Sequence, residues 1–368
     1  MKNLLFILAI GLISCNMEVN EQHWQKGNLH THSFWSDGDD FPEMIIDWYK
    51  ENDYQFIALS DHNTIAEGVY WYKLKQSDLK NKTLDKYKKR FGDWVESKND
   101  STGVYVRLKT FNEYKTKLDE LNSFLIIKSE EVTSSFENKP VHINVTNIQE
   151  KIDPFKGSSV IEVMQKTIDA VNTQKKKLNG ERFFEVYNGH PAVHNEGDDL
   201  HIDLETMWDL INISYYDNDK PLLLGIATDD SHNYHQRSTS LSNTGRGWVM
   251  VNSKKIETLS LIESMESGNF YSSSGIELKK VKRNNKRFIV EVEPNKGVNY
   301  EITFIGYRKD DSQTQVLKTV KGNSASYIFN ENDLFVRAKI SSDEIKTNPY
   351  VKGETTQAWT QPVIVNTK

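Results

Sequence analysis

The sequence predicts an α/β protein, a βα barrel followed by a small antiparallel β-sandwich, and three observations lead there. From residue 27 to about 275, short β-branched runs alternate with amphipathic stretches of helical spacing, the pattern that builds parallel sheets from βα units. Six or seven such strands suit a barrel better than an open sheet, and no phosphate-cradling Gly-x-Gly-x-x-Gly loop argues for the open alternative. After Tyr271-Ser272-Ser273-Ser274-Gly275 the helical spacing stops and alternating strands remain, over Ile276–Val281, Phe288–Val292, Tyr300–Ile305, Leu334–Ile340 and Val363–Val365. At 368 residues the chain accommodates one large and one small domain, divided here into 27–275 and 276–368.

The N-terminus reads differently from everything after it. Lys2, the apolar run Leu4–Ile13, then Ser14 and Cys15 form an export signal over residues 1–14, too short to span a membrane before polar Asn16 and Glu18 end it. Leu12-Ile13-Ser14-Cys15 resembles the lipobox of bacterial lipoproteins, which implies acylation of Cys15, a tether over 15–26, and a protein exported and lipid-anchored in the bacterial cell envelope, in the periplasm or at the cell surface. The chain has no second cysteine with which Cys15 could pair. A net charge of -6 supplies no basic field for a polyanion, which excludes bulk nucleic-acid binding but not a small phosphorylated substrate.

Within the first domain, Asn28–Thr31 ends a first strand, and Asp40 and Pro42 open a helix that carries Met44, Ile45, Trp48 and Tyr49 on one face. Phe56–Leu59 is the next strand and runs into Ser60-Asp61-His62. Residues 67–122, rich in lysine, aromatic and acidic residues at helical spacing, read as a helical insertion. Strands follow at Phe124–Ile127, Val141–Val145, Phe183–Tyr187 and Leu222–Ala227, with helices at 158–174 and near 204–210.

Ligand-type side chains recur where these strands end. In chain order they are His30, His32, Asp37, Asp61, His62, Glu130, Glu131, His142, His190, His194, Asp229, Asp230 and His232. Strand ends converge at the mouth of a βα barrel. Imidazole and carboxylate suit divalent Zn, Mn or Fe, and neither a thiol set nor a calcium-type loop competes. His30-x-His32 and Asp230-x-His232 each place two ligands on one side of an extended chain, because side chains repeat every second residue there.

These residues carry a resemblance to a known family. Asn28-Leu29-His30-Thr31-His32-Ser33, Ser36-Asp37-Gly38, Leu59-Ser60-Asp61-His62-Asn63, Glu131-Val132-Thr133, Val141-His142 and Thr228-Asp229-Asp230-Ser231-His232 resemble, in that order, the motif series of the PHP (polymerase and histidinol phosphatase) superfamily. The resemblance spans about residues 27–275 and implies a distorted seven-stranded (β/α) barrel holding two or three divalent metal ions. It places His30, His32, Glu131 and Asp230 on a first metal, Glu131 and His142 on a second, and Asp37, His62 and His232 on a third. The activity implied is hydrolysis of a phosphomonoester or phosphodiester by a water that the ions activate.

One step of the family pattern is missing. A strand ending in His-Pro is expected between the helix at 158–174 and the strand Phe184-Glu185-Val186-Tyr187-Asn188, but only Lys175–Glu181 intervenes. His190-Pro191 and His194 follow that strand instead, and either fills the second site, serves substrate binding, or does neither. Asp61 is a candidate partner for fixing a ligand imidazole, and Arg246, set between two glycines, for reaching a substrate phosphate. Two other readings stand beside the phosphoesterase: a surface-binding lipoprotein built on a degenerate metal barrel, and a hydrolase of another bond, since ligands report the metal and not the leaving group.

Overall fold

The computed structural model describes residues 22–174 and 181–365. The signal segment, Cys15 and the first part of the tether lie outside the described residues. Strand β1 (Trp24–Asn28) leads through helix α1 (Pro42–Glu51) to β2 (Phe56–Leu59), which pairs with it in parallel. Alternation along β2 sets its environment. Phe56 and Ala58 pack inward with Leu29, Ile127, Leu224 and Ile226, whereas Ile57 and Leu59 pack outward against Ile45, Ile46 and Tyr49 of α1. Gly27 is required beside this layer, because a Cβ there would meet the Phe56 ring at 2.1 Å. Pro42 opens α1 as expected, but the residue before it, Phe41, occupies the N-cap, while Asp40 is buried and accepts from the Phe41 N–H at 2.8 Å.

The insertion is only partly helical, contrary to the reading of 67–122. It comprises β3 (Tyr70–Lys73), α2 (Gln76–Lys80), α3 (Thr83–Phe91), β4 (Ser97–Asp100), β5 (Gly103–Leu108) and α4 (Phe111–Leu118), with an antiparallel sheet in the order β3-β5-β4. The period-two residues Val104, Val106 and Leu108 build β5, which packs with Tyr72 and Tyr87 on Phe34 and Phe41. The lysine-rich helical spacing of 76–91 masks that shorter period.

The next strand, β6 (Leu125–Phe136), pairs in parallel with β2 and then turns back through a two-residue loop into β7 (Lys139–Thr146). Both loop residues, Glu137 and Asn138, have positive φ (49° and 62°), as a tight hairpin demands. Helix α5 (Val160–Gln174), β8 (Phe183–Asn188), α6 (Leu204–Asp217) and β9 (Leu224–Thr228) follow, then β10 (Trp248–Asn252), α7 (Thr258–Glu266) and β11 (Phe270–Ser273). Among the described residues the hydrogen bonding does not close a seven-stranded barrel. Strand β7 runs antiparallel to β6, β10 is antiparallel to β1, and β8 and β9 form a separate parallel pair. Between the edges of β7 and β8, where the expected βα step is missing, lies an apolar cavity of about 180 Å³ lined by Phe56, Ile127, Val145, Phe183 and Ile226 among others.

Beyond residue 275 come β12 (Leu278–Arg283), β13 (Arg287–Val292), β14 (Tyr300–Arg308), β15 (Gln315–Lys321), β16 (Ser324–Ile328), β17 (Asp333–Ile345), β18 (Thr355–Thr360) and β19 (Val363–Ile364). A sheet β12-β13-β16 packs on β14 and β17 through Phe288, Val290, Phe304 and Ala338. Strand β18 pairs with β11, so one sheet runs across the boundary at 275. Arg337 of β17 grips α6 by a two-pronged contact to Asp209 (2.7 and 2.8 Å), which fixes the C-terminal strands against the first half.

Burial pushes the Asp40 carboxyl up to about 8, against an ordinary value near 3.9. Folding therefore favours the protonated acid. That contribution is fully present below about pH 4 and is lost as pH rises through about 8. Thermal melts across this window should show the stability of the unaltered chain falling relative to Asp40→Asn as pH rises; a difference that stays constant with pH contradicts the assignment.

Candidate metal centre

Two isolated bridges assemble the site. Beyond β1 and β9, Thr31 pairs in parallel with Ser231, closed by Asp230 N–H to His30 O (3.0 Å) and His32 N–H to Ser231 O (2.9 Å). Because side chains alternate, His30 and His32 on one segment and Asp230 and His232 on the other are thrown onto one face. Thr31 and Ser231 point the opposite way, into hydroxyl contacts with Tyr49 and Tyr234. The second bridge, His62 with Glu131, sets the loop after β2 beside the middle of β6. Asp230 holds a positive φ of 47°, uncommon outside glycine and tolerated best by Asp and Asn.

At the centre, two imidazole nitrogens face two carboxylate oxygens at distances at or beyond the long end of the hydrogen-bond range. His30 Nε2 and His32 Nε2 lie 3.4 and 3.3 Å from Glu131 Oε2, and each lies 3.2 Å from Asp230 Oδ1. A tetrahedral ion with ligands at about 2.0–2.1 Å spaces its ligand atoms about 3.3 Å apart. His30 Nε2 and His32 Nε2 are buried and have no hydrogen-bond partner, and buried Glu131 Oε2, though 2.9 Å from His62 Nδ1, receives no donor in hydrogen-bonding geometry. Orphaned polar atoms cost too much to leave bare, so the residues fit a metal ion. The other nitrogen of His30 is bound to Glu185 Oε1 at 2.8 Å, which leaves Nε2 as the nitrogen for the metal.

Two further groupings adjoin this one. Asp37 stands 3.3 Å from His232 Nε2 and 3.5 Å from His62 Nε2, with His32 Nδ1 at 3.7 Å. On the other side, Glu131 Oε1 meets His142 Nδ1 at 2.8 Å, and Glu131 Oε2 meets His62 Nδ1 at 2.9 Å. Glu131 thus touches two of the three groups, and His62 faces both outer ones. The centre is buried on the side of His30, His32 and Glu131 and open along Asp37 and His142, which are 56 and 40 % exposed.

Charge is matched throughout. Burial acts to raise the Glu131 carboxyl, but His30, His142 and His62 overcome it and hold the group far below the carboxylate range. Asp37 and Asp230 are likewise held low against burial by the surrounding imidazoles. Burial lowers the His62 imidazole, yet Asp37 and Glu131 bring it up to about 10. In the metal-free chain the raised imidazoles of His30, His62 and His232 answer the carboxylates with protons that an incoming cation displaces, while burial lowers His32.

The remaining sequence-predicted residues lie elsewhere. Asp61 accepts from Ser33 N–H, Ser33 Oγ and Ser36 Oγ, each at 2.7 Å, so it holds the turn that carries Asp37 and not an imidazole. Arg246 is fully buried and donates to the carbonyls of Gly189, Leu241, Ser238 and Pro349 (2.6–3.0 Å), which corrects its reading as a phosphate contact. It cannot reach a substrate. His190 has its ring 5.5 Å from that of His232 and belongs to none of the ligand groupings among the described residues, the one around His142 included. His194 sits outside the centre altogether, on an exposed loop with Asp198 and His201. The residue missed in the sequence is Glu185, which joins His30, Thr228 Oγ1 (3.1 Å) and Asn188 Nδ2 (3.0 Å). Its signal was a carboxylate inside an apolar strand.

No protein-family model matches the chain, and no curated protein matches it. Among solved structures, it is similar to a two-domain protein containing a predicted PHP-like metal-dependent phosphoesterase from Bacteroides vulgatus ATCC 8482, at 13% identity and a TM-score of 0.41, over 93% of this chain and 96% of that one. A similarity this distant carries no argument about chemistry, which rests on the side chains described above.

Zinc or manganese at a hundredfold excess over its Kd should stabilise the metal-free chain by about 2.7 kcal/mol, read as a rise in Tm. Glu131→Gln removes the central anion and should lose that rise; an equal rise in the variant contradicts the assignment. Arg246→Met should destabilise the fold by about 3 kcal/mol or more, since several buried carbonyls lose their donor. Chemical denaturation checks it, and a midpoint unchanged from the unaltered chain refutes a structural role.

Proposed function

We propose that this chain is a PHP-type metal-dependent hydrolase that cleaves a phosphomonoester or phosphodiester. The observation that carries the reading is the set of four atoms on His30, His32, Glu131 and Asp230, in which each imidazole nitrogen stands 3.2–3.4 Å from each carboxylate oxygen and both nitrogens are buried without hydrogen-bond partners. The adjoining groups around Asp37 and His142 support two or three divalent ions in all, of the Zn, Mn or Fe class.

Divalent ions held in such a cluster lower the pKa of a shared water and polarise phosphoryl oxygens. The chain's own residues then have defined tasks. Glu131 ties the inner group to the outer one through its two oxygens. Glu185 keeps His30 in the orientation that offers Nε2. Asp61 steadies the Ser33–Ser36 turn, which delivers Asp37 to the open edge. Substrate approaches along Asp37, His62 and His142, the solvent-facing side of the centre.

The substrate is a small phosphorylated molecule, in keeping with a chain whose net charge of -6 offers no field for bulk nucleic acid. We place the protein outside the cytoplasm, anchored through Cys15 by the lipobox-like segment. One observation favours a second reading, a binding protein with a degenerate centre: among the described residues, the group around His142 has no residue of its own beyond that histidine and shares Glu131 and His62 with its neighbours.

Chromogenic phosphomonoester and phosphodiester substrates, supplied to protein starting at Asn16 with manganese or zinc, decide between them. Turnover that needs metal and falls by more than about a hundredfold in His32→Ala is the expected result. Bound metal with no turnover on either substrate class supports the binding protein instead.

A further inference from the structure

Away from the centre, the loop between β8 and α6 brings together His194, Asp198 and His201. His194 Nδ1 lies 2.7 Å from Asp198 Oδ2, and His201 Nδ1 lies 2.7 Å from Asp198 Oδ1. The two imidazoles stack face to face, with centroids 4.2 Å apart and planes 13° from parallel. All three side chains are half-exposed, at 51, 40 and 51 %, and one ligand atom from each lies within 4.8 Å of the others.

We propose that His194, Asp198 and His201 form a separate, open binding site for one divalent ion of the zinc class, independent of the phosphoesterase reading. Two imidazoles and one carboxylate are a zinc-type donor set, with remaining positions left to water. Ligands on such an ion stand about 3.3 Å apart, so the two nearly parallel rings would turn toward a common point to take it.

The loop is also built in advance for the task. Gly197 has φ +70°, and a Cβ there would lie 2.7 Å from Asp203 N and His201 O, so the turn requires glycine. Gly197 N–H donates to His194 O (3.0 Å), Asp198 N–H to His201 O (2.8 Å), and Leu200 N–H to Asp198 Oδ1 (2.8 Å). These bonds hold the three side chains together before any ion arrives. At its inner end the loop is fastened by Asn195 to the backbone of Asn188 (2.8 and 2.9 Å), and Asn188 Nδ2 contacts Asp230. An ion at the outer end would stiffen the wall that carries His190 to the rim of the centre.

Equilibrium dialysis of the untagged chain against zinc chloride, raised until uptake reaches a plateau, with metal per chain read by mass spectrometry, tests the site. His201→Ala and His194→Ala, both at half-exposed positions, should each bind one ion fewer than the unaltered chain, with unchanged Tm in the absence of metal. His32→Ala should keep the outer ion, so the double variant His32→Ala/His201→Ala should bind one ion fewer than His32→Ala alone. Equal plateaus in the unaltered chain and in both single variants would overturn the proposal and leave the cluster a hydrogen-bonded turn.

Discussion

A carboxylate buried at 2 % exposure, Glu131, governs how this fold is arranged around its site. An ionised acid in that position is costly unless opposite charge surrounds it. Four imidazoles face it, from His30 and His32 beyond β1, His62 beyond β2 and His142 on β7, and those of His30 and His62 are raised to meet it. They come from three separate stretches of chain, so the strands must be brought to a common end for the charge to be matched. A cation satisfies the same requirement better than protons do, because it also occupies the lone pairs left bare on Glu131, His30 and His32.

The backbone achieves this with two short bridges. Pairing Thr31 with Ser231 joins residues 200 apart in the chain and aligns two i, i+2 pairs in a single step. Asp229, next to Asp230, is buried and accepts from the N–H groups of Gly245, Arg246 and Gly247, so the segment bearing Asp230 is tied to the strand that follows. Arg246 then binds the carbonyls of the loops around the mouth and of Pro349 in the loop between β17 and β18. The C-terminal half thereby takes part in holding the site, and Trp359, 2 % exposed and 5.7 Å from the Tyr187 ring, packs into that junction.

Much of the site is legible in the sequence because its logic is local. His30-x-His32 and Asp230-x-His232 need only an extended backbone to face one way, and β2 is read at Phe56–Leu59 from its apolar run. The choice of Glu131 over Glu130 came from resemblance, and the structure gives its physical counterpart: Glu130 faces the other side of β6, where its Oε1 accepts from Ile152 N–H at 2.9 Å. What depends on long-range pairing was not legible. Period two is the same for parallel and antiparallel strands, so the reversal of β7 was hidden. Arg246 between two glycines looks like a surface loop until the carbonyls around it are seen, and the path of the 190–203 loop, which separates His190 from His194, has no signature in either residue.

Anomalous diffraction at the zinc edge, from crystals of zinc-loaded protein, tests the central claim most directly. The account predicts a peak bounded by His30 Nε2, His32 Nε2, Glu131 Oε2 and Asp230 Oδ1, each at about 2.0–2.2 Å. Crystals in which those four atoms bind one another or water, with no anomalous peak among them, would contradict it.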